Sequence, residues 1–381
     1  MPNNDFTASV LPAPQPSPYA AVAALTFVSV MLAGLWQISA AAWNPASLDF
    51  PWTWLDFREG RTTGALEKQL DKKLPARTTL IATANSARYV LTRGSSDQVR
   101  VGSDGWLFLT DELKFETDAM AHLAERARLF GAVVRSLDKQ GVKLVVALVP
   151  DKARLYASEL TSGQYPAHNL SRYQDSLTAL GGQNVTVIDL LTPLTEASLQ
   201  TQVYYSSDTH WNQAGAEISA NAIALAVKKL GIELQSTTFV TAAAGEKTER
   251  VGDLIRLMGL GNVPNALRPS SDSEIPMVTR QTSADVAAGL FGDAAVPVTL
   301  TGTSYSLRGN FHGFLQQALS AKVLNAAKDG GGLLQATTAY LTDDAFKSAK
   351  PKILVWEVPE RFLYSPLDDE PKWLKTVGLL P

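Results

Sequence analysis

Cysteine is absent from all 381 residues, which removes thiol nucleophiles, iron–sulfur clusters, Cys-ligated zinc and disulfide scaffolds. Its absence is compatible with an oxidising compartment without requiring one. Histidine is nearly as scarce, with four residues, His122, His168, His210 and His312. Neither an H-E-x-x-H nor an H-x-H spacing occurs, so no metal site is expected. There is no basic run and the formal net charge is −3, so nucleic acid finds no electrostatic footprint and is not an expected partner. No G-x-x-x-x-G-K-[ST] loop exists and no G-x-G-x-x-G follows a strand, so nucleotide chemistry is unsupported and no cofactor is expected.

Basic residues are missing from one region in particular. Residues 1–57 contain no Lys or Arg and only three acids, Asp5, Asp49 and Asp56. All 34 basic residues and 34 of the 37 acidic ones therefore lie in 58–381, a formally neutral body. With 45% hydrophobic and 19% charged residues, that body has an ordinary globular composition and enough length to bury a core.

Residues 1–18 read as a flexible lead, because the Pro-rich stretch 11–18 joins neither helix nor sheet. Tyr19 to Trp43 then runs for 25 residues with Tyr19 its only ionisable side chain. As a helix this segment reaches across a hydrocarbon core of about 30 Å, with Trp36 and Trp43 suited to an interface. It is expected to be a signal anchor or a signal peptide. Ser39–Ala42 offers small residues to a signal peptidase, so anchor and cleaved leader both stay open. The alternative is an Ala-rich buried helix.

Residues 44–99 are expected to form a linker and an N-terminal helical region. Beyond them, helical periodicity alternates with short apolar runs. A helix capped by Thr117 or Asp118 is stopped by Gly141, and VKLVVALV (142–149) follows as a strand buried on both faces. Further strands are predicted at 185–191, 296–300 and 353–358, with helices over 213–230 and from about Asn310 onward. This alternation predicts a mostly parallel sheet covered by helices on both faces, whose ligands bind at the carboxyl ends of the strands. Residues 232–295 are rich in Ala, Thr, Ser and Gly and read as an insertion or long loops over one end of the sheet.

Three places combine strand ends with reactive side chains. In Ser207-Asp-Thr-His-Trp-Asn212, side chains two apart share a face of an extended chain, so Asp208 can orient His210 as a base. The bland alternative is that Asp208 or Asn212 caps the next helix and His210 packs on Trp211. In Thr301-Gly-Thr-Ser-Tyr-Ser306, Gly302 permits a sharp bend that raises Ser304 above the sheet edge, with turn N–H groups facing a developing oxyanion. His312, on the following helix, is a rival base. In Trp356-Glu-Val-Pro-Glu-Arg361, Glu357 and Arg361 are candidates to position a hydroxyl-bearing substrate and Trp356 to stack on a sugar. The alternative there is a buried ion pair and a core tryptophan.

Together with Val101-Gly-Ser-Asp-Gly-Trp-Leu-Phe-Leu109, these motifs resemble, in order and spacing, those of the AlgJ/AlgX family of bacterial exopolysaccharide O-acetyltransferases. The resemblance implies an SGNH-hydrolase-like domain over 100–365, preceded by an N-terminal hydrophobic helix and followed by a tail, 366–381. The 16 residues left after 365 are too few for the carbohydrate-binding module of AlgX-type proteins, which points to AlgJ or its cellulose-acetylation counterpart. Carried over, the nucleophile falls on Ser304, the base on His210 and the orienting acid on Asp208. Ser306 is the runner-up nucleophile, Asn310 an oxyanion donor, and Tyr305, Trp356 and Arg361 are candidate substrate-binding residues. The implied activity is transfer of acetyl groups to a secreted polysaccharide, alginate or cellulose, through an acetyl-enzyme. The implied partners are that polymer, a membrane-bound O-acyltransferase supplying acetyl groups and other proteins of the acetylation complex. The implied place is the periplasm, anchored to the inner membrane by 19–43. An acetylesterase and a non-catalytic scaffold are the alternatives.

Overall fold

A computed structural model of the chain describes residues 18–42, 53–73, 77–282 and 296–366, together with 373, 375 and 377. The lead before Pro18, Trp43, residues 283–295 of the insertion and most of the tail after 366 lie outside the described residues. The chain divides into two compact units, Met1–Ala84 and Asn85–Pro381.

The first unit holds α1 (Pro18–Ala42), α2 (Trp54–Arg58), α3 (Arg61–Lys73) and the start of α4 (Arg77–Thr92). Residues 19–42 of the uncharged run are thus helical, and Leu25, Phe27, Val30, Leu32, Leu35 and Trp36 are exposed. Among the described residues no helix is long and apolar enough to cross a membrane, so the expected anchor gains no spanning segment here.

The second unit runs β1 (Val99–Val101), β2 (Leu107–Leu109), α5 (Ala119–Asp138), β3 (Lys143–Val149), α6 (Lys152–Leu155), α7 (Arg172–Gly181), β4 (Thr186–Asp189), α8 (Leu191–Ser198) and α9 (Gln213–Lys229). The insertion follows, with β5 (Phe239–Ala243), β6 (Thr248–Arg250), α10 (Asp253–Leu257), β7 (Asp272–Glu274) and β8 (Met277–Gln281). The chain returns through β9 (Val298–Thr301), α11 (Phe311–Leu319), β10 (Val323–Asn325), α12 (Gln335–Thr342), α13 (Asp344–Ser348) and β11 (Ile353–Pro359).

Five strands form the central sheet in the order β10-β9-β11-β3-β4, and every pairing in it is parallel. The two-residue period of a strand explains why Leu144 to Val149 reads as unbroken apolar sequence. Leu144, Val146 and Leu148 join a core with α5, α7, α12 and α13 on one face. Val145, Ala147 and Val149 join a core with α8, α9 and α11 on the other. β11 repeats the pattern, with Leu354, Trp356 and Val358 on the first face and Ile353 and Val355 on the second. Such strands cannot alternate in polarity because neither side meets water.

The expected strands and helices occur with shifts of a residue or two. Edge strand β10 was not legible, since three residues, Val-Leu-Asn, carry no detectable period. The insertion is more ordered than its sequence suggests: β5 pairs with β8, and β6 with β7, both antiparallel. Because the sheet is parallel, the ends of β3, β9 and β11 open on one edge and bring Lys152, Ser304 and Glu357 to the same region.

Candidate active site

The site is assembled where three chain segments meet above that edge. The first is the stretch between α8 and α9. Tyr204 and Trp211 form an isolated antiparallel bridge, which closes residues 205–210 into a loop. Asn212 caps α9 by accepting the N–H of Gly215 at 3.0 Å, so Asp208 is not needed as a cap. Asp208 Oδ1 instead accepts both the backbone N–H of His210 at 3.1 Å and its Nδ1 at 2.5 Å. The opposite ring nitrogen, Nε2, lies 2.7 Å from Ser304 Oγ. Asp208, His210 and Ser304 are therefore brought into one hydrogen-bonded line, the arrangement of a nucleophile, its base and the orienting acid.

Ser304 comes from the second segment, the turn after β9. Gly302 there has φ +150°, and a Cβ on it would lie 2.6 Å from Glu357 Oε2 and 2.8 Å from the Glu357 backbone oxygen. Only glycine lets the chain pass so close to β11. Glu357 then holds the turn from below: it accepts Thr303 N–H at 2.7 Å, the Thr303 hydroxyl at 3.0 Å and the Ser306 hydroxyl at 3.1 Å. Burial pushes its carboxyl above the ordinary range, and the donors from Thr303 and Ser306 pull it back. Ser306 is buried and committed to Glu357, whereas Ser304 is only half-buried, which separates the nucleophile from its runner-up. Tyr305 is fully buried; its ring lies 4.8 Å from His210 and its hydroxyl donates to Thr209 O at 2.9 Å. It positions the histidine loop and presents no free face to a substrate.

Other expectations need correction. Trp356 is 0% exposed and packs 4.7 Å from Phe130 in the core, so no sugar reaches its ring and the architectural reading holds. Glu357 does not pair with Arg361. The Arg361 side chain, 11% exposed, lies 3.5 Å from Asp151 and 3.9 Å from Glu112, against the Tyr305 ring, in a charge cluster that includes Arg154 bound to Glu360. Arg361 is part of the frame that supports Tyr305. His312 is no rival base, since its Nε2 is engaged by Val323 O at 2.7 Å. His122 and His168 lie against the carbonyls of Tyr364 and Leu113. Asn310 stands in the left-handed region before α11 and gives its amide to Thr279 Oγ1 at 2.9 Å.

The third segment escaped sequence reasoning. It is the insertion, whose Asp253 N–H donates to Asp208 Oδ2 at 3.0 Å while Arg250 Nη2 approaches the same oxygen at 3.3 Å. Asp272 accepts the backbone N–H groups of Ser206 and Ser207, each at 2.9 Å. Lys152, at the end of β3, is fully buried and donates to Ser206 O and Asp208 O, both at 2.9 Å. The 101–109 motif contributes here too: Leu107 N–H binds Ser206 O at 2.9 Å, and Trp106 and Phe108 cover the Lys152 ammonium. Strand-end placement was a usable signal for Lys152. Nothing in the weakly periodic insertion marks Arg250, Asp253 or Asp272.

The electrostatics suit the geometry. Burial drives Asp208 upward, but the hydrogen bond and charge of His210, with Arg250, outweigh it and hold the carboxyl well below its usual range. Asp208 thus stays ionised beside the ring it orients. Its ligand atom and those of His210 and Asp253 lie within 4.8 Å of one another. These three are also the side chains among the described residues that could hold a metal ion, although Asp208 and Ser304 already engage both ring nitrogens.

The family described as "SGNH hydrolase-like domain, acetyltransferase AlgX" matches residues 99–360. A probable alginate O-acetylase AlgJ of Pseudomonas aeruginosa is 33% identical over 360 residues, covering 92% of this chain and 90% of that protein. A second AlgJ, from Pseudomonas putida, is 34% identical over 322 residues, covering 83% of this chain and 84% of the other. The solved O-acetyltransferase domain of Pseudomonas putida AlgJ superposes with a TM-score of 0.65 at 35% identity, covering 74% of this chain and 98% of that one.

Proposed function

The chain belongs to the AlgX family of SGNH hydrolase-like acetyltransferases, and on that premise we propose that it acetylates alginate through an acetyl-Ser304 intermediate. The observation that carries the mechanism is the continuous contact from Asp208 through His210 to Ser304, at 2.5 and 2.7 Å. Alginate is preferred to cellulose because the relatives above are alginate O-acetylases by name.

In the first half-reaction Ser304 Oγ gives its proton to His210 Nε2 and bonds to the acetyl carbonyl carbon. The oxyanion faces the Ser304 N–H, because those of Thr303, Tyr305 and Ser306 are spent on Glu357 and within the turn, and Asn310 is proposed beside it through the amide hydrogen that Thr279 Oγ1 does not take. Collapse expels the donor's leaving group, which takes the proton from Nε2. In the second half-reaction a sugar hydroxyl gives its proton to Nε2 and attacks the ester, and Ser304 Oγ leaves with that proton returned from Nε2. Asp208, ionised throughout, stabilises the imidazolium formed in each step. Transfer outruns hydrolysis when the polymer hydroxyl is held at the ester better than water is. A scaffold has no use for a nucleophile poised on a base in this way.

The reading places the enzyme in the periplasm, taking acetyl groups from a membrane-bound O-acyltransferase within an acetylation complex. The exposed apolar side chains of α1 support membrane association through residues 19–43.

Intact-mass analysis after incubation with p-nitrophenyl acetate tests the covalent step. The wild type is expected to gain one acetyl group on Ser304, and Ser304→Ala none. Adding alginate oligosaccharides should then discharge the adduct onto sugar. Discharge onto water alone would make the protein an esterase, and no adduct with no nitrophenol release would remove the catalytic reading.

A further inference from the structure

We propose that Asp253 is a positioning residue for this chemistry, a second carboxylate that acts on the catalytic histidine from the insertion; the inference rests on the acetyl-Ser304 reading above. Asp253 Oδ2 lies 3.6 Å from His210 Nδ1, the nitrogen that Asp208 Oδ1 already holds at 2.5 Å. Its other oxygen is occupied separately, accepting Thr209 N–H at 2.7 Å and the Thr209 hydroxyl at 3.1 Å. One carboxylate therefore performs two tasks: Oδ1 ties α10 to the catalytic loop, and Oδ2 faces the imidazole.

The approach is built into the backbone. Gly252 packs so tightly on the loop that a Cβ there would lie 1.9 Å from Ser207 O. This closeness lets the Asp253 N–H reach Asp208 Oδ2 at 3.0 Å. Removing any of these contacts would draw the Asp253 carboxylate away from the ring.

When Ser304 Oγ passes its proton to Nε2 and bonds to the acetyl carbon, positive charge appears on the ring. Asp208 and Asp253 both face it at Nδ1, so the charge is shared between two acids. Glu357 from β11 and Tyr305 from the turn after β9 also face the ring, while Arg250 from β6, Lys152 from α6 and Tyr205 of the catalytic loop act on its carboxylates. Burial and the charge of Asp208 push the Asp253 carboxyl upward, while His210 and the Thr209 donors pull it down. The Asp253 side chain is 32% exposed, against 1% for Asp208. Solvent weakens its effect accordingly.

The test compares wild type, Asp253→Asn, Asp253→Glu and Asp253→Ala as full chains. It follows single-turnover acetylation of Ser304 by p-nitrophenyl acetate from pH 5 to 9, alongside thermal melts. Asparagine keeps an oxygen for Thr209 and loses the charge. It is expected to melt as the wild type does, to acetylate about threefold more slowly, and to shift the acid limb about half a pH unit lower. Glutamate keeps the charge and should hold the limb near the wild-type position even if its rate falls, whereas alanine should both slow and shift it. An asparagine variant with the wild-type rate and profile overturns the proposal, as does an unshifted alanine limb; the latter decides the matter if the asparagine variant melts early. If the wild type itself forms no acetyl-Ser304, the acetyl-enzyme reading fails and this inference falls with it.

Discussion

Two carboxylates within reach of one imidazole are treated differently by their surroundings. Asp208 is buried, hydrogen-bonded to His210 and approached by Arg250, and its pKa is driven down. Asp253 is more open and pushed the other way, by burial and by Asp208 itself. The division suits an acid that must stay charged beside a partner whose charge is tuned by its neighbours. Lys152 offers a separate test at this scale. Burial lowers its pKa to about 8, against an ordinary value of about 10.4. Between those values the folded chain holds fewer protons than the unfolded one, so the Lys152 contribution to stability rises with pH across that window. The melting temperature of the wild type minus that of Lys152→Met should therefore be higher, by a few degrees, at pH 10 than at pH 7. A difference that stays flat or falls would mean the ammonium is not held in a desolvating site.

At the scale of elements, the catalytic loop is clamped from four directions: by α9 through the Asn212 cap, by β1–β2 through Leu107, by the end of β3 through Lys152, and by α10 through Gly252 and Asp253. Three of these contacts end on a backbone carbonyl or carboxylate of 206–208 and the fourth on the Asn212 side-chain amide, so the loop is set by its neighbours more than by its own propensity. Gly252→Ala tests the α10 clamp. The added methyl has no room against Ser207 O, so α10 must withdraw. Misplacement near 1 Å costs about 100-fold in such reactions. A fall of that order in Ser304 acetylation is expected, with the far-ultraviolet circular dichroism of the sheet and its helices retained. Wild-type acetylation in this variant would show that α10 moves without consequence.

For the whole molecule, a parallel sheet with both faces covered leaves one edge on which strand ends from distant parts of the chain converge. Residue 152, residues 206–212, Ser304 and Glu357 meet there despite their separation in sequence. The proposed attachment to a membrane rests on residues 19–43 and is tested by fractionation. Full-length protein is expected to sediment with membranes and to be released by detergent, while a chain lacking residues 1–57 stays in the supernatant. Recovery of the full-length product in the supernatant, shortened near Ser39–Ala42, would identify a cleaved leader instead.

The sequence alone determined the buried strands, because a strand covered on both faces must be mostly apolar, and VKLVVALV and ILVWEV are so apart from Lys143 at a strand start and Glu357. It pointed to Asp208, His210 and Ser304 through the resemblance of D-T-H-W and G-T-S-x-S to the family's motifs, since either stretch alone reads as readily as a helix cap or a plain turn. What only the tertiary structure decided was how each polar side chain is spent. Trp356, Tyr305 and Arg361 look like ligands to a sugar, yet they lie beneath the site, since burial depends on what packs above them. Arg250, Asp253 and Asp272 look like surface residues of an irregular insertion, yet they hold the catalytic loop. Their partners lie 42 to 66 residues away in sequence, and no local period records a contact that chain folding alone creates.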